Sequence, residues 1–465
     1  MSEKTQAQLL KDKLFYEKKN VFEERCDEDI DRAYAYAEGY KKYLDNAKTE
    51  REAVTAAIKL AEAAGFEEYT LGGELKVGGK YYLNNRGRSL FLVKMGKESP
   101  ECGVRINAAH IDSPRLDLKQ HPLYEDNGFA YLKTHYYGGI RKYQWTTIPL
   151  ALHGVVTKLN GETVDVVIGE DENDPIFCIT DLLPHLAANQ SQKPLGTAFE
   201  GEGLNLMIGC RPYRDEEIDQ KIKLNMMAIL NEKYGIVEAD FMSAELTVTP
   251  AMHARDLGLD RALIAGYGHD DRVCAYPVLT SILEDEGTEH TVIGVLADKE
   301  EIGSCGVSGM RCRLLADLID EIARVTGTNA NVIRANSMCL SADVSAGFDP
   351  LYPEVFEKRN SALLSCGVVM SKYTGARGKS GSNDASAEYV AKIRAIFEEN
   401  GVIWQTAELG KVDAGGGGTV AADVANHNID TVDLGVPVLS MHAPMEVISK
   451  ADLYETHKAF CAFCK

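Results

Sequence analysis

The sequence predicts an α/β protein: a mixed sheet flanked by helices, built from both ends of the chain, with a β-rich domain inserted between them. Three observations carry this. From residue 253 onward, apolar strand-like runs alternate with helical stretches, the mark of an α/β sheet. The block 120–252 holds short strand-like pieces around Asn160-Gly161, a strong hairpin signal, and few candidate catalytic groups. Residues 1–119 start helical and end in strand-like runs. The expected division is therefore 1–119 plus 253–465 for one domain and 120–252 for the insert.

Each element has a local reason. The first ~65 residues read as helical. Thr49-Glu-Arg-Glu52 is a capping box, followed by an alanine-rich amphipathic run that stops at Gly65. Lys80–Leu83 and Ser89–Lys94 read as strands joined through Asn84-Asn-Arg-Gly87, and Val104–His110 as another. In the insert, Thr157–Ile168 reads as a hairpin, 221–234 as a helix and Ala244–Pro250 as a strand. Asp413-Ala-Gly-Gly-Gly-Gly-Thr419 reads as a lone flexible loop.

Composition narrows the function. The 465 residues suffice for two domains, and 45% hydrophobic content allows a full core. A net charge of −20 argues against a nucleic-acid partner, because phosphate backbones recruit Lys and Arg. The N-terminal Met-Ser-Glu-Lys-Thr-Gln has no apolar signal core, and no run reaches the ~18 apolar residues of a membrane span. Eleven cysteines without a framework read as reduced thiols, so the expected compartment is the cytoplasm and no membrane partner is expected. Cys461-Ala-Phe-Cys464 lacks the second pair of a zinc ribbon and reads as structural or incidental.

Four apolar runs each end in a metal-ligand residue type. Val104–Ala109 leads to His110, Val292–Ala297 to Glu300 and Glu301, Met338–Ala342 to Asp343, and Val436–Met441 to His442. Sites of open α/β sheets form beyond the C-terminal ends of strands. Adjacent Glu300 and Glu301 repel each other, and a cation removes the conflict: one can bind a metal while its neighbour takes a proton from water. In His110-Ile-Asp112, strand alternation puts both side chains on one face, where Asp112 can fix the imidazole tautomer. Asp270-Asp271-Arg272 reads either as a cation site or as a helix cap with a solvated ion pair.

The ordered set His110-x-Asp112, Asp270-Asp-Arg, Asp298-x-Glu-Glu-x-Gly-Ser304, Ser341-Ala-Asp343 and Ser440-Met-His442 resembles the aspartyl aminopeptidase / aminopeptidase I family of di-zinc exopeptidases. The similarity runs nearly end to end and includes Tyr137-Gly-Gly139 and Ile148-Pro-Leu-Ala-Leu-His153. It implies a di-zinc exopeptidase fold whose insert serves dimerisation. It also implies a metallo-aminopeptidase that removes the first residue of peptides. One zinc would be held by His110, Asp270 and Glu301, the other by Asp270, Asp343 and His442, with Asp270 bridging. Glu300 would be the general base and Asp112 the orienting group. His153 would reach a neighbouring subunit's centre, in a homo-oligomer of the dodecamer type built from dimers. The donor set has oxygen and nitrogen only, so cobalt and manganese also suit it.

Lys372, Arg377 and Lys379 lie in one loop, where a buried cation could attract an acidic first side chain. Lys372 matches best the basic position linked to acidic preference in some members, and Lys379 is the second candidate; a solvated loop is the alternative. The loop is not a phosphate loop, since Tyr373 stands where the first Gly is required. Members divide between acidic and neutral or hydrophobic preference, and both stay open at this point. The competing functions are a di-zinc deacylase or carboxypeptidase, and a non-catalytic assembly protein of the same fold. The remaining histidines end no comparable run and read as structural, with His269 a possible support for Asp270.

Overall fold

The computed structural model describes residues 4–284 and 287–465. Its main sheet has nine strands. At the centre lie Val292–Ala297, Arg105–His110, Met338–Ala342 and Asp430–Gly435, in that spatial order and mutually parallel. Ser89–Lys94 and Val368–Ser371 flank them antiparallel, which makes the sheet mixed. The class is α/β, as the strand–helix alternation predicts.

Period-2 alternation buries both faces. Ile106, Ala108, Val295 and Cys339 face one core, while Ala109, Leu296 and Leu340 face the other. The first core is covered by Leu314–Thr326, whose Leu315, Leu318, Ile319 and Ile322 follow helical spacing. The second is covered by Asp27–Asp45, Glu50–Ala63, His269–Leu283, Ala387–Glu399 and Lys450–Cys464. Glu50–Ala63 starts at the predicted capping box: Thr49 Oγ1 accepts from the Glu52 amide at 3.2 Å, and Glu52 Oε2 accepts from the Thr49 amide at 3.0 Å. Cys461 and Cys464 lie in the last helix, and all eleven cysteines are unpaired. Among the described residues no helix is long and apolar enough to cross a membrane.

A second sheet of six strands, with every pairing antiparallel, is formed between Arg115 and Pro250. It contains the predicted hairpin, Leu150–Thr157 with Thr163–Ile168, and the predicted strand Ala244–Pro250. Helix Lys221–Tyr234 buries Ile222 and Met226 against it. Strand Arg115–Asp126 begins five residues after His110, so this sheet starts right beside the candidate centre.

A third sheet of five strands corrects one expectation. The run Val436–Met441 is not one strand leading to His442. Only Pro437–Leu439 is extended, and it belongs to the third sheet. The main-sheet strand ends at Gly435, where a methyl group would overlap the Asp343 carbonyl oxygen. Pro437 then has no amide hydrogen to continue the ladder. Ser440 and His442 follow with φ of 58° and 65°, so His442 sits on a tight turn. The glycine-rich loop is also more ordered than its composition suggests: Gly416–Gly417 pairs with Gly375–Ala376.

Candidate metal centre

The strand order brings the predicted residues to one edge of the main sheet. His110 closes its own strand. Met338–Ala342 runs parallel beside it with Ser341 opposite Ala108, so Asp343 falls opposite His110. On the other side Ala297 is opposite His110, and the chain then turns at Lys299 (φ 67°) into a single helical turn, Glu300–Ile302. That turn sends the two glutamates apart. Glu300 Oε2 lies 4.0 Å from His110 Nε2, while Glu301 Oε1 lies 3.4 Å from His442 Nε2. Asp270 lies between the histidines, its Oδ1 3.2 Å from His110 Nε2 and its Oδ2 3.1 Å from His442 Nε2.

Three triads at this centre come within reach of a single ion: His110, Asp270 and Asp343; Asp270, Glu301 and His442; and His110, Glu300 and Glu301. Asp270 is common to the first two, which group Asp343 with His110 and Glu301 with His442, where the resemblance implies the reverse. The cause is topological. Asp343 is carried by the strand next to His110, whereas the turn at Lys299 swings Glu301 across to His442.

Hydrogen bonds fix the tautomers. His110 Nδ1 lies 3.0 Å from the Asp112 carbonyl oxygen and His442 Nδ1 lies 2.8 Å from the Gly139 carbonyl oxygen. A carbonyl oxygen only accepts, so both Nδ1 atoms carry hydrogen and donate. In the neutral rings each Nε2 then presents a lone pair to a carboxylate oxygen of Asp270. Two acceptors face each other at each contact, and a cation resolves the conflict. His110 Nε2, Asp270 Oδ1 and Glu301 Oε1 are moreover buried without a hydrogen-bond partner. The donors therefore fit divalent metal ions.

The electrostatics agree. Burial, reinforced by Asp343 and Asp270 against the pull of His110, pushes Glu300 up to about 8. Burial and Asp270 also raise Glu301. Burial disfavours a charged His442 ring, but Asp270 and Glu301 outweigh it and push His442 up to about 10. Protons gather where the centre lacks positive charge, and bound cations would displace them.

Several supporting residues do more than the sequence shows, and one, Glu446, carries no signal there. Glu446 accepts from the His442 amide at 2.7 Å and from the Asp270 amide at 3.1 Å. Asp271 Oδ2 accepts from the His110 amide at 3.3 Å. Asp271-Arg272 is therefore not a solvated ion pair beside a helix cap: Asp270, Asp271 and Arg272 are all buried. Asp112 accepts from the Glu300 and Glu301 amides at 3.1 and 3.2 Å and from the Tyr137 hydroxyl at 2.8 Å. Tyr137 stands in the Tyr-Gly-Gly motif, which is visible in the sequence although its role is not.

Three predicted residues are not brought to the centre of their own subunit. His153 is buried with Nδ1 2.8 Å from Glu52 and Nε2 3.0 Å from Glu170. Lys372 and Lys379 are exposed on their loop and both pair with Asp384, at 2.7 and 3.2 Å. Neither lines the cavity of about 400 Å³ that opens over Asp270, Glu300, Glu301, Asp343 and His442.

Comparison with known proteins gives the family. The family model of the aminopeptidase I zinc metalloproteases (M18) matches residues 43–464. The M18 family aminopeptidase 1 of Clostridium acetobutylicum is 51% identical over 458 residues, covering 97% of this chain and 98% of that protein. The crystal structure of the Thermotoga maritima M18 aminopeptidase superposes with a TM-score of 0.93 at 40% identity, covering 97% of this chain and 100% of that one. That of aminopeptidase I from C. acetobutylicum gives 0.91 at 48%, with the same coverage. The S. cerevisiae mApe1 dodecamer, 19% identical, shares the fold at a TM-score of 0.76. The chain belongs to the aminopeptidase I family of zinc metalloproteases, and it is an aminopeptidase, a hydrolase of peptides.

Proposed function

We propose that the chain removes uncharged first residues from peptides, using two zinc ions on either side of Asp270 and Glu300 as general base. The observation that carries this is the pair of histidine nitrogens, each facing its own oxygen of Asp270. His110, Asp270 and Asp343 hold one ion; Asp270, Glu301 and His442 hold the other. When bound, such ions polarise the scissile carbonyl and lower the pKa of water. Glu300 belongs to neither of these triads, yet lies beside the first. It accepts the proton of the attacking water and returns it to the leaving amine. Asp112 holds the His110 ring and the backbone of both glutamates, so the base and two ligands move as a unit.

The cavity supports the choice of first residue. Its walls include Val344, Val369, Leu409 and Met441, and no Lys or Arg is among its lining residues. Asp433, buried with Oδ2 unpartnered, also lines it. An acidic first side chain would meet the Asp433 carboxyl group and no Lys or Arg, whereas burying a Leu or Met side chain is worth about 1.5–3 kcal/mol. With zinc supplied, kcat/KM for peptides beginning with Leu or Met should exceed that for Asp or Glu by about tenfold or more. The N-acetylated peptides should not be cleaved. An Asp-to-Leu ratio of one or above would reject the uncharged preference, and cleavage of the acetylated set would point to a deacylase.

We also infer a homo-oligomer, a dodecamer built from dimers, with residues 120–252 as the assembly domain and the cytoplasm as its compartment. Leu182, Leu183, Leu186 and Leu195 of this region are each about half exposed or more, an apolar surface that association would cover. Unpaired thiols favour a reducing compartment. The proposal that His153 acts at a neighbour's centre requires it to leave Glu52 and Glu170 on assembly. His153→Phe should then lower kcat with zinc content unchanged. Unaltered kinetics would leave His153 as an anchor between the second sheet and helix Glu50–Ala63.

A further inference from the structure

We propose that Tyr137-Gly138-Gly139, at the end of a strand of the second sheet, is a clamp that positions His110, Glu301 and His442, so that this sheet sets the affinity of the metal centre. The inference rests on the two-ion reading above.

Each of the three residues addresses a different ligand. Tyr137 donates its hydroxyl hydrogen to Asp112 Oδ2 at 2.8 Å, and Asp112 Oδ1 lies 3.4 Å from His110 Nδ1. The Asp112 carboxylate also receives the amides of Glu300 and Glu301. Turning it would therefore disturb both glutamates together and the 3.4 Å contact to His110, whose Nδ1 hydrogen goes to the Asp112 carbonyl oxygen. Gly138 has φ 70°, and a Cβ there would lie 3.1 Å from Glu301 Oε2, tighter than ordinary contact. Its bare backbone packs against the Glu301 carboxylate. Gly139 accepts from His442 Nδ1 at 2.8 Å, which leaves Nε2 facing Asp270.

The clamp is itself braced. Tyr137 and Arg115 are cross-strand partners, and the Arg115 guanidinium lies 3.9 Å from the centre of the Tyr137 ring. Arg115 is held by Asp117 at 2.8 Å and by Glu50 at 3.0 Å. The hydroxyl is thus aimed by a buried ion-pair network and not by a free rotamer. Tyr137 touches no substrate in this account; it acts through Asp112 as a positioning residue. Partners of this kind typically change metal affinity by about 10–100-fold.

Tyr137→Phe tests the clamp, because it keeps the ring beneath Arg115 and removes only the hydroxyl. The readouts are zinc affinity by chelator competition, thermal unfolding of the chelated protein, and kcat and KM with zinc in excess. The expected result is zinc affinity weakened about tenfold or more, metal-free unfolding close to wild type, KM unchanged, and rate recovered largely by added zinc. Gly138→Ala should weaken zinc binding as well, through Glu301. If Tyr137→Phe binds zinc within twofold of wild type, or if only its metal-free stability falls, the clamp is wrong. Wild-type protein that binds fewer than two zinc ions per subunit would instead defeat the two-ion reading itself.

Discussion

Replacing Glu300 with Gln should leave the zinc content at two per subunit and lower kcat by about 10²–10⁴-fold, the usual worth of a positioned general base. The substitution preserves size and hydrogen-bonding reach but cannot take a proton. Glu300 lies in neither triad of Asp270, so its loss should not empty either site. Its environment also fixes the sign of the pH dependence. Without cations, burial and neighbouring carboxylates push Glu300 up to about 8. Bound cations lower that value, yet the group must still be deprotonated to act. Wild-type kcat should therefore fall as pH drops through the Glu300 pKa, and this acid limb should be missing from the residual activity of Glu300→Gln. Metal analysis together with a pH–rate profile checks both parts. A variant that keeps two zinc ions and a near-normal rate would remove Glu300 as the base.

Asp270→Asn should abolish tight zinc binding at both sites at once. Each oxygen of Asp270 faces a different histidine, at 3.2 and 3.1 Å. An amide offers one acceptor, and its NH₂ would donate to the lone pair of the other ring. In the metal-free protein Asp270 instead holds a protonated His442, pushed up to about 10, and the amide loses that ion pair. Metal-free Asp270→Asn should accordingly melt below metal-free wild type at neutral pH, and zinc should no longer raise its melting temperature. For wild type, zinc at 100 times its Kd is worth about 2.7 kcal/mol per site. Calorimetry with and without zinc measures both states. A variant that loses only one ion and keeps a large zinc-induced shift would show that Asp270 does not serve both sites.

Most of the centre is legible in the sequence because parallel strands carry their C-terminal residues to a common edge. His110 and Asp343 each follow an apolar run that the structure places in adjacent strands. Glu300-Glu301 is legible for a different reason, the cost of adjacent carboxylates behind a buried strand. What the sequence does not carry is lateral order. That Asp343 falls opposite His110 while Glu301 faces His442 depends on which strands neighbour each other and on the turn at Lys299. His442 is found by its motif, but the run before it breaks at Val436, between strands of two different sheets. Lys372 and Lys379 look like specificity residues only until Asp384, in the same loop, pairs with both. Glu446 lies four residues beyond His442 with no pattern to mark it, and binds the backbone of both His442 and Asp270.

The central claim is that two ions sit on opposite sides of Asp270. Anomalous scattering at the zinc edge, from crystals of the zinc-loaded protein, tests it most directly. Two peaks per subunit are expected, one among His110, Asp270 and Asp343 and the other among Asp270, Glu301 and His442. A single peak, or a peak shared by His110 and Glu301 without Asp343, would contradict the account.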